Sequence, residues 1–374
     1  MKTDVYEKMA EIFEYPGSQN LIKYLKVLFK PEEGELLLEF LEPSTCQEVA
    51  KRLNMDEKTL SKKIADFKRR RLLFDKNGVY LFHLSMHGFF ARIAKARKED
   101  IPQGFWKAWN DFMPEVEKKS ITQSIKIAKK VPVSGIMTRI VPARLAIASN
   151  PNIKPEDILP EEDIHAMLRK KGSKEVIAVS DCDCRVRAHK CNRPVVNCFE
   201  FGKYAEFNLN QSSSLKVVSV EEAIAISDEA ERGGLLKSGG LSEKNGGVLC
   251  HCCECCCNVM GAAIRNGVVH QLRTPSRWRA RVVEEECVGC QTCVDRCFFD
   301  AIEMKKVPGS KKMKAVVDTE QCMGCGLCVI GCEQKALKFD LVKPPEYLAV
   351  DHQEQQMSPY GDKMPIWGSF TAAP

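Results

Sequence analysis

Apolar residues near the start of the chain recur at helical spacing. Leu21, Tyr24, Leu25 and Leu28 fall on one face, so residues 1–30 read as an amphipathic helical lead-in. Over residues 31–85 the rhythm changes several times. Gly34-Glu35-Leu36-Leu37-Leu38-Glu39-Phe40-Leu41 predicts a first helix. Thr45-Cys46-Gln47-Glu48 is a capping box that opens a second, running through Leu53. Asp56 caps a third, on which Leu60, Ile64 and Phe67 share a face. Two short strands then flank Lys76-Asn77-Gly78, where Asn-Gly supplies the positive φ angles of a tight hairpin turn.

Residues 86–174 read as mostly helical and connective. Phe105, Trp106, Trp109 and Phe112 form an aromatic stripe at helical spacing, which predicts buried core rather than a cofactor pocket. A proline-punctuated stretch from Pro151 leads into a helix ending near Lys171-Gly172. Further on, Glu175–Ser180 is an apolar strand that delivers Cys182-Asp183-Cys184. Ser219-Val220-Glu221-Glu222 is another capping box, and its helix stops at Gly233-Gly234. Gly246–Cys250 is a second apolar strand, again leading into a Cys-x-Cys. The pattern divides the chain into a helical lead-in with a helix-rich domain (1–90), a helical connector (91–174), a cysteine-rich α/β domain (175–280), a repeat-containing domain (281–340) and an irregular tail (341–374). The order helix, helix, helix, hairpin over 31–85 resembles a winged helix-turn-helix. The expected fold class is α+β multi-domain.

The 374 residues are 44% hydrophobic and 28% charged, which excludes collagen-like, mucin-like and wholly disordered chains. The abnormal figure is 19 cysteines. One is Cys46, ten lie between Cys182 and Cys257, and eight between Cys287 and Cys332. A secreted disulfide framework would follow a signal peptide, yet the first residues carry acids where such a peptide needs an apolar run. The most apolar candidate for a membrane span, 131–148, is broken by Arg139 and Arg144. A cytoplasmic, reduced protein with thiolates as metal ligands is expected.

Cys287, Cys290, Cys293 and Cys297 follow the spacing C-x2-C-x2-C-x3-C, and an offset of 35 carries each onto Cys322, Cys325, Cys328 and Cys332. Two short C-x-x-C steps wrap a loop around one iron–sulfur cubane. The fourth cysteine is expected to begin a helix pointing away and so to ligate the other cluster. By that rule Cys287, Cys290, Cys293 and Cys332 hold one [4Fe-4S] cluster, and Cys322, Cys325, Cys328 and Cys297 the other. The spacing resembles the bacterial two-cluster ferredoxin, so a ferredoxin fold is expected over 281–340. The proline that usually follows the fourth cysteine is replaced by Phe298 and Glu333. Zinc is disfavoured, because zinc sites pair two C-x-x-C units across a longer loop.

A second constellation comprises Cys182, Cys184, Cys191 and Cys198, followed by Cys250, Cys252, Cys253, Cys255, Cys256 and Cys257. The first four suffice for a cluster. Neighbouring residues on an extended strand face opposite sides, so the last six are expected to split between two sites. One or two additional [4Fe-4S] clusters are expected over 175–260, with zinc or a redox-active dithiol as the open alternative. Arg185, Arg187, Lys190 and Arg193 lie close in sequence and would offset cluster charge. His251, between cysteines, is a further ligand candidate.

This arrangement of cysteines, capped helix and ferredoxin motif resembles the 4Fe-4S ferredoxin-type, or 4Fe-4S dicluster-domain, proteins of anaerobes over most of residues 20–340. The resemblance implies electron transfer in an anaerobic redox pathway and supplies no substrate. An electron carrier or oxidoreductase subunit is expected rather than a stand-alone enzyme. Its partner would be a redox protein: a flavoprotein, a ferredoxin or another subunit. No nucleophile–base pair, G-x-G-x-x-G or P-loop is present to suggest other chemistry.

The competing expectation is a redox-responsive DNA-binding regulator. Residues 57–71 carry seven basic side chains (Lys58, Lys62, Lys63, Lys68, Arg69, Arg70 and Arg71) against two acidic ones, the pattern of a recognition helix. Residues 1–85 as a whole balance 15 basic against 14 acidic, so there is no broad cationic footprint. The net charge of +6 argues little for nucleic acid, because each thiolate-ligated cluster carries about −2.

Overall fold

Side-chain caps set the first helices. Asp4 accepts from the Tyr6 N–H at the head of α1 (Val5–Ile12), and Ser18 from the Leu21 N–H at the head of α2 (Gln19–Leu28). The computed structural model describes residues 4–82, 93–128, 139–209, 214–239, 248–309 and 312–347. It divides into two units, one comprising 1–119 with 208–215, the other 120–207 with 216–374.

In the first unit α3 spans Pro31–Leu38. It begins three residues before the run that predicted it, because Pro31 at the first helical position has a preset φ and no N–H to leave unpaired. After β1 (Ser44–Thr45) come α4 (Cys46–Leu53) and α5 (Glu57–Arg69). The Thr45–Glu48 capping box forms in both directions, and Asp56 accepts from the Thr59 N–H at 2.8 Å. Strands β2 (Leu73–Lys76) and β3 (Val79–Phe82) make a hairpin whose turn residues Asn77 and Gly78 have φ of 53° and 83°. The three strands pair antiparallel in the order β1-β3-β2. Leu60, Ile64 and Phe67 are buried beneath them. The helix Phe105–Ala128 brings Phe105, Trp109 and Phe112 against Tyr24, so the aromatic stripe is core. His83 and His87, which the sequence reads as ordinary side chains of the wing, lie outside the described residues.

The second unit holds a six-stranded sheet ordered β4-β8-β9-β6-β5-β7. Its strands are β4 (Arg139–Val141), β5 (Ile177–Asp181), β6 (Val196–Phe201), β7 (Lys216–Val217), β8 (Leu236–Gly239) and β9 (Val248–Cys252). Every pairing is antiparallel. The sequence reading of an α/β domain therefore needs correcting: these helices do not serve as crossovers between paired parallel strands. Helices Ile164–Gly172 and Val220–Arg232 bury Ile164, Leu168 and Ala223 against Ile177, Val179, Phe199 and Leu249. The Ser219–Glu222 box caps the second of them.

The repeat at offset 35 is a repeat in three dimensions. Strands β10 (Trp278–Val282) and β12 (Met313–Val317) correspond, as do β11 (Ile302–Lys306) and β13 (Leu337–Leu341), and each half carries a one-turn helix, Thr292–Asp295 or Leu327–Ile330. The first strand of each half pairs with the last strand of the other: β10 with β13, and β11 with β12. Backbone bonds repeat as well. Val283 N–H donates to Ala336 O, and Asp318 N–H to Ala301 O, each at 2.8 Å. Gly289 and Gly324 take φ of 76° and 67°. A Cβ on Gly289 would strike the carbonyl oxygen of Met313, and one on Gly324 that of Trp278, so at both positions only glycine fits.

Candidate metal centres

The halves exchange cysteines as well as strands. One small pocket is lined by Cys287, Cys290 and Cys293 from the first half and Cys332 from the second. A second is lined by Cys322, Cys325 and Cys328 together with Cys297. The route differs from the expected one. Cys297 and Cys332 do not begin a helix; each follows the one-turn helix of its half, with its N–H bonded back to Val294 O or Val329 O. One turn is all these helices have, so the chain leaves at the fourth cysteine and turns toward the other half.

Burial in the two pockets disfavours thiolates that have no positive partner. Burial pushes the Cys293 thiol up to about 11 and the Cys325 thiol up to about 12, and raises Cys328 and Cys297 as well. Any four thiolates around one apolar space repel one another unless a positive core lies between them, which is what an iron–sulfur cubane supplies. The donor set therefore fits that group. Backbone N–H groups assist: Thr292 donates to the Cys290 sulfur and Leu327 to the Cys325 sulfur, the same bond at offset 35. The Thr292 hydroxyl also donates to exposed Cys290 and lowers its pKa.

The ten middle cysteines gather differently from their order in the chain. Sγ atoms of Cys191, Cys253, Cys255 and Cys256 all lie within 4.8 Å of one another. Cys191 is 3.9 Å from both Cys253 and Cys256. This group packs on Ala230 and Leu235. A second group links Cys182 to Cys184, Cys184 to Cys257, Cys257 to Cys252 at 3.5 Å, and Cys252 to Cys250. The set 182–198 is thus divided, with Cys191 leaving its sequence neighbours. Cys198 lies on β6 opposite Ser180. The cause is local. Cys250 and Cys252 sit on one face of β9, after which the chain turns and carries Cys253, Cys255 and Cys256 to the other group. None of the 19 cysteines is joined in a disulfide.

His251 faces away from its neighbours. Nδ1 meets Asn197 O at 2.9 Å and Nε2 meets the Ser227 hydroxyl at 3.2 Å, so both ring nitrogens are occupied and no donor remains for a metal. Burial holds its pKa down at about 3, keeping the ring neutral. Arginines surround the thiols. Arg185, 2% exposed, donates to Pro194 O and His251 O, and Arg187 donates to Cys256 O at 3.3 Å. Arg193 pairs with Glu254 at 2.6 Å, while Lys190 is exposed and gives its N–H to the Cys256 sulfur. Arg265, Arg273 and Arg296 were not legible as site residues. Arg265 Nη1 donates to Glu254 O at 2.6 Å, and Arg273 sits in the field of Cys252 and Cys257. Arg296 donates to Leu327 O at 2.8 Å and to Glu231 O at 3.1 Å, beside Cys325 and Cys328. Arg296 sits inside the first motif, but the thiols it faces, Cys325 and Cys328, belong to the other half, and no local pattern marks a cation that reaches a thiol through the fold.

On α5 most of the basic run is engaged. Lys68 pairs with Asp75, Arg69 with Asp66 and Asp100, and Arg70 with Glu33 and Asp66. Arg71 is 1% exposed and donates to Asn208 Oδ1. Lys58, Lys62, Lys63 and Arg69 are the exposed ones, Arg69 within its ion pairs.

Residues 286–336, which contain all eight cysteines of the repeat, match a family model described as a 4Fe-4S dicluster domain. No curated protein and no solved structure matches the chain. The matched domain and the cysteine-rich region upstream make this an iron–sulfur protein whose function is electron transfer. Among the described residues no helix is long and apolar enough to cross a membrane.

Proposed function

We propose that the chain is an electron-transfer protein or subunit of an anaerobic redox complex, holding two [4Fe-4S] clusters in the dicluster domain and one or two more in the middle domain. The observation that carries this reading is the exchange of cysteines between halves. Cys287, Cys290, Cys293 and Cys332 would hold one cluster, and Cys322, Cys325, Cys328 and Cys297 the next. Cys191, Cys253, Cys255 and Cys256 would hold a third, and the group of Cys182, Cys184, Cys250, Cys252 and Cys257 a fourth. Bound clusters of this kind take up and release single electrons. The chain's part is to fix their spacing, exclude water from the buried thiolates and bias their potentials with N–H···S bonds and nearby arginines. Exposed Cys290 leaves one site close to the surface, where a flavoprotein, ferredoxin or oxidoreductase partner would exchange electrons. Anaerobic purification with iron and sulfide quantified, and EPR of the reduced protein, tests this. Twelve to sixteen irons per chain support it, about eight would confine clusters to the dicluster domain, and colourless zinc protein would end it.

A DNA-binding reading rests on the first unit, where α3, α4, α5 and the β2–β3 hairpin follow the order of a winged helix-turn-helix. The ion pairs along α5 weigh against it, since they leave three lysines to meet phosphate. Saturable, redox-dependent binding to one duplex at physiological salt would reverse that preference.

A further inference from the structure

The two halves of the repeat differ at the position that follows the fourth cysteine. After the fourth cysteine the first half has Phe298 and the second Glu333, where two-cluster ferredoxins usually carry proline. Glu333 is exposed. Phe298 is buried, and the guanidinium of Arg193 lies over its ring, 4.9 Å from the centroid. Arg193 is tied into the middle thiol group at two points. Its backbone N–H donates to the Cys191 sulfur, and its Nη1 donates to Oε2 of Glu254, the residue between Cys253 and Cys255. Phe298 in turn follows Cys297, whose thiol lines the cavity of Cys322, Cys325 and Cys328. An unbroken chain of contacts therefore runs from Cys191 through Arg193 and Phe298 to Cys297.

We propose that the Arg193–Phe298 contact is the electronic bridge between the site of Cys191, Cys253, Cys255 and Cys256 and the site of Cys297, Cys322, Cys325 and Cys328. It assigns an order: the Cys297 site exchanges electrons with the middle domain, and the site of exposed Cys290 faces the external partner. The inference rests on the reading that both bridged sites hold clusters. The step is the passage of one electron. One site is oxidised and the other reduced, and no covalent bond forms or breaks.

The full chain, purified anaerobically as wild type, Phe298→Leu and Phe298→Tyr, is mixed with limiting dithionite and frozen at intervals for EPR, with iron and sulfide counted in each sample. Phe298→Leu keeps an apolar side chain but removes the ring; Phe298→Tyr keeps the ring. With iron content and midpoint potentials unchanged, the middle-site signal is expected to appear several-fold later in Phe298→Leu and at the wild-type rate in Phe298→Tyr. An undelayed Phe298→Leu protein overturns the bridge, as does a Phe298→Tyr protein that is equally slow. A wild-type count of about eight irons overturns the middle-domain reading itself, and the bridge with it.

Discussion

Glu162 and Arg277 form an ion pair at 2.7 Å with side chains only 1% and 2% exposed. The other Glu162 oxygen accepts from Trp278 Nε1 at 2.9 Å, so one carboxylate holds both residues at the start of β10. Removing one member of a buried pair strands the other charge. Glu162→Ala is expected to lower stability by about 3–5 kcal/mol, read as a shift in the urea midpoint of the cluster-loaded protein. An unchanged midpoint would mean that the pair contributes nothing net.

The exchanged cysteines give a crossed pattern of loss. Cys332→Ser is expected to remove the EPR signal of the site with Cys287, Cys290 and Cys293, although it lies in the other half of the repeat. Cys297→Ser is expected to remove the signal of the site with Cys322, Cys325 and Cys328. If each substitution instead disabled the site of its own half, the cross-ligation would be wrong.

Arg296 places a cation next to Cys325 and Cys328. A positive charge stabilises the more negative, reduced form of a thiolate-bound cluster. Arg296→Gln is expected to lower the midpoint potential of the Cys297 site while leaving that of the Cys287 site in place. A redox titration followed by EPR separates the two.

The first unit should weaken in acid. Burial alone would raise the Glu33 carboxyl, but hydrogen bonding from Arg70 and the Lys30 N–H outweighs it, and the net shift is downward; Asp66 is lowered in the same way by Arg69 and Arg70. Carboxylates held below their unfolded values add stability that is present above about pH 4 and lost as pH falls through the folded values. Hydrogen exchange along α5 is expected to accelerate on acidification relative to the intrinsic rate, and Arg70→Met to flatten that response.

What the sequence made legible was local or periodic. The Asn77-Gly78 turn, the boxes at Thr45–Glu48 and Ser219–Glu222, and the offset of 35 are each written within a few residues or one repeat, and each is found in the fold. What stayed hidden depends on partners far along the chain. Nothing near Val196 or Leu236 announces that β6 and β8 both pair with β9. Nothing near Cys191 says that its sulfur leaves Cys182 and Cys184 for Cys253 and Cys256. Such partners are set by the register of an antiparallel sheet, which no short window encodes.

The trading of strands and thiols between the halves also bears on the order of events at the ribosome. The residues around Cys287 emerge first, yet their cavity has no fourth wall until Cys332 has been made and β13 has come back to lie beside β10. On the cross-ligation proposed above, neither centre matures as a nascent fragment, and machinery that loads metal waits for the finished repeat.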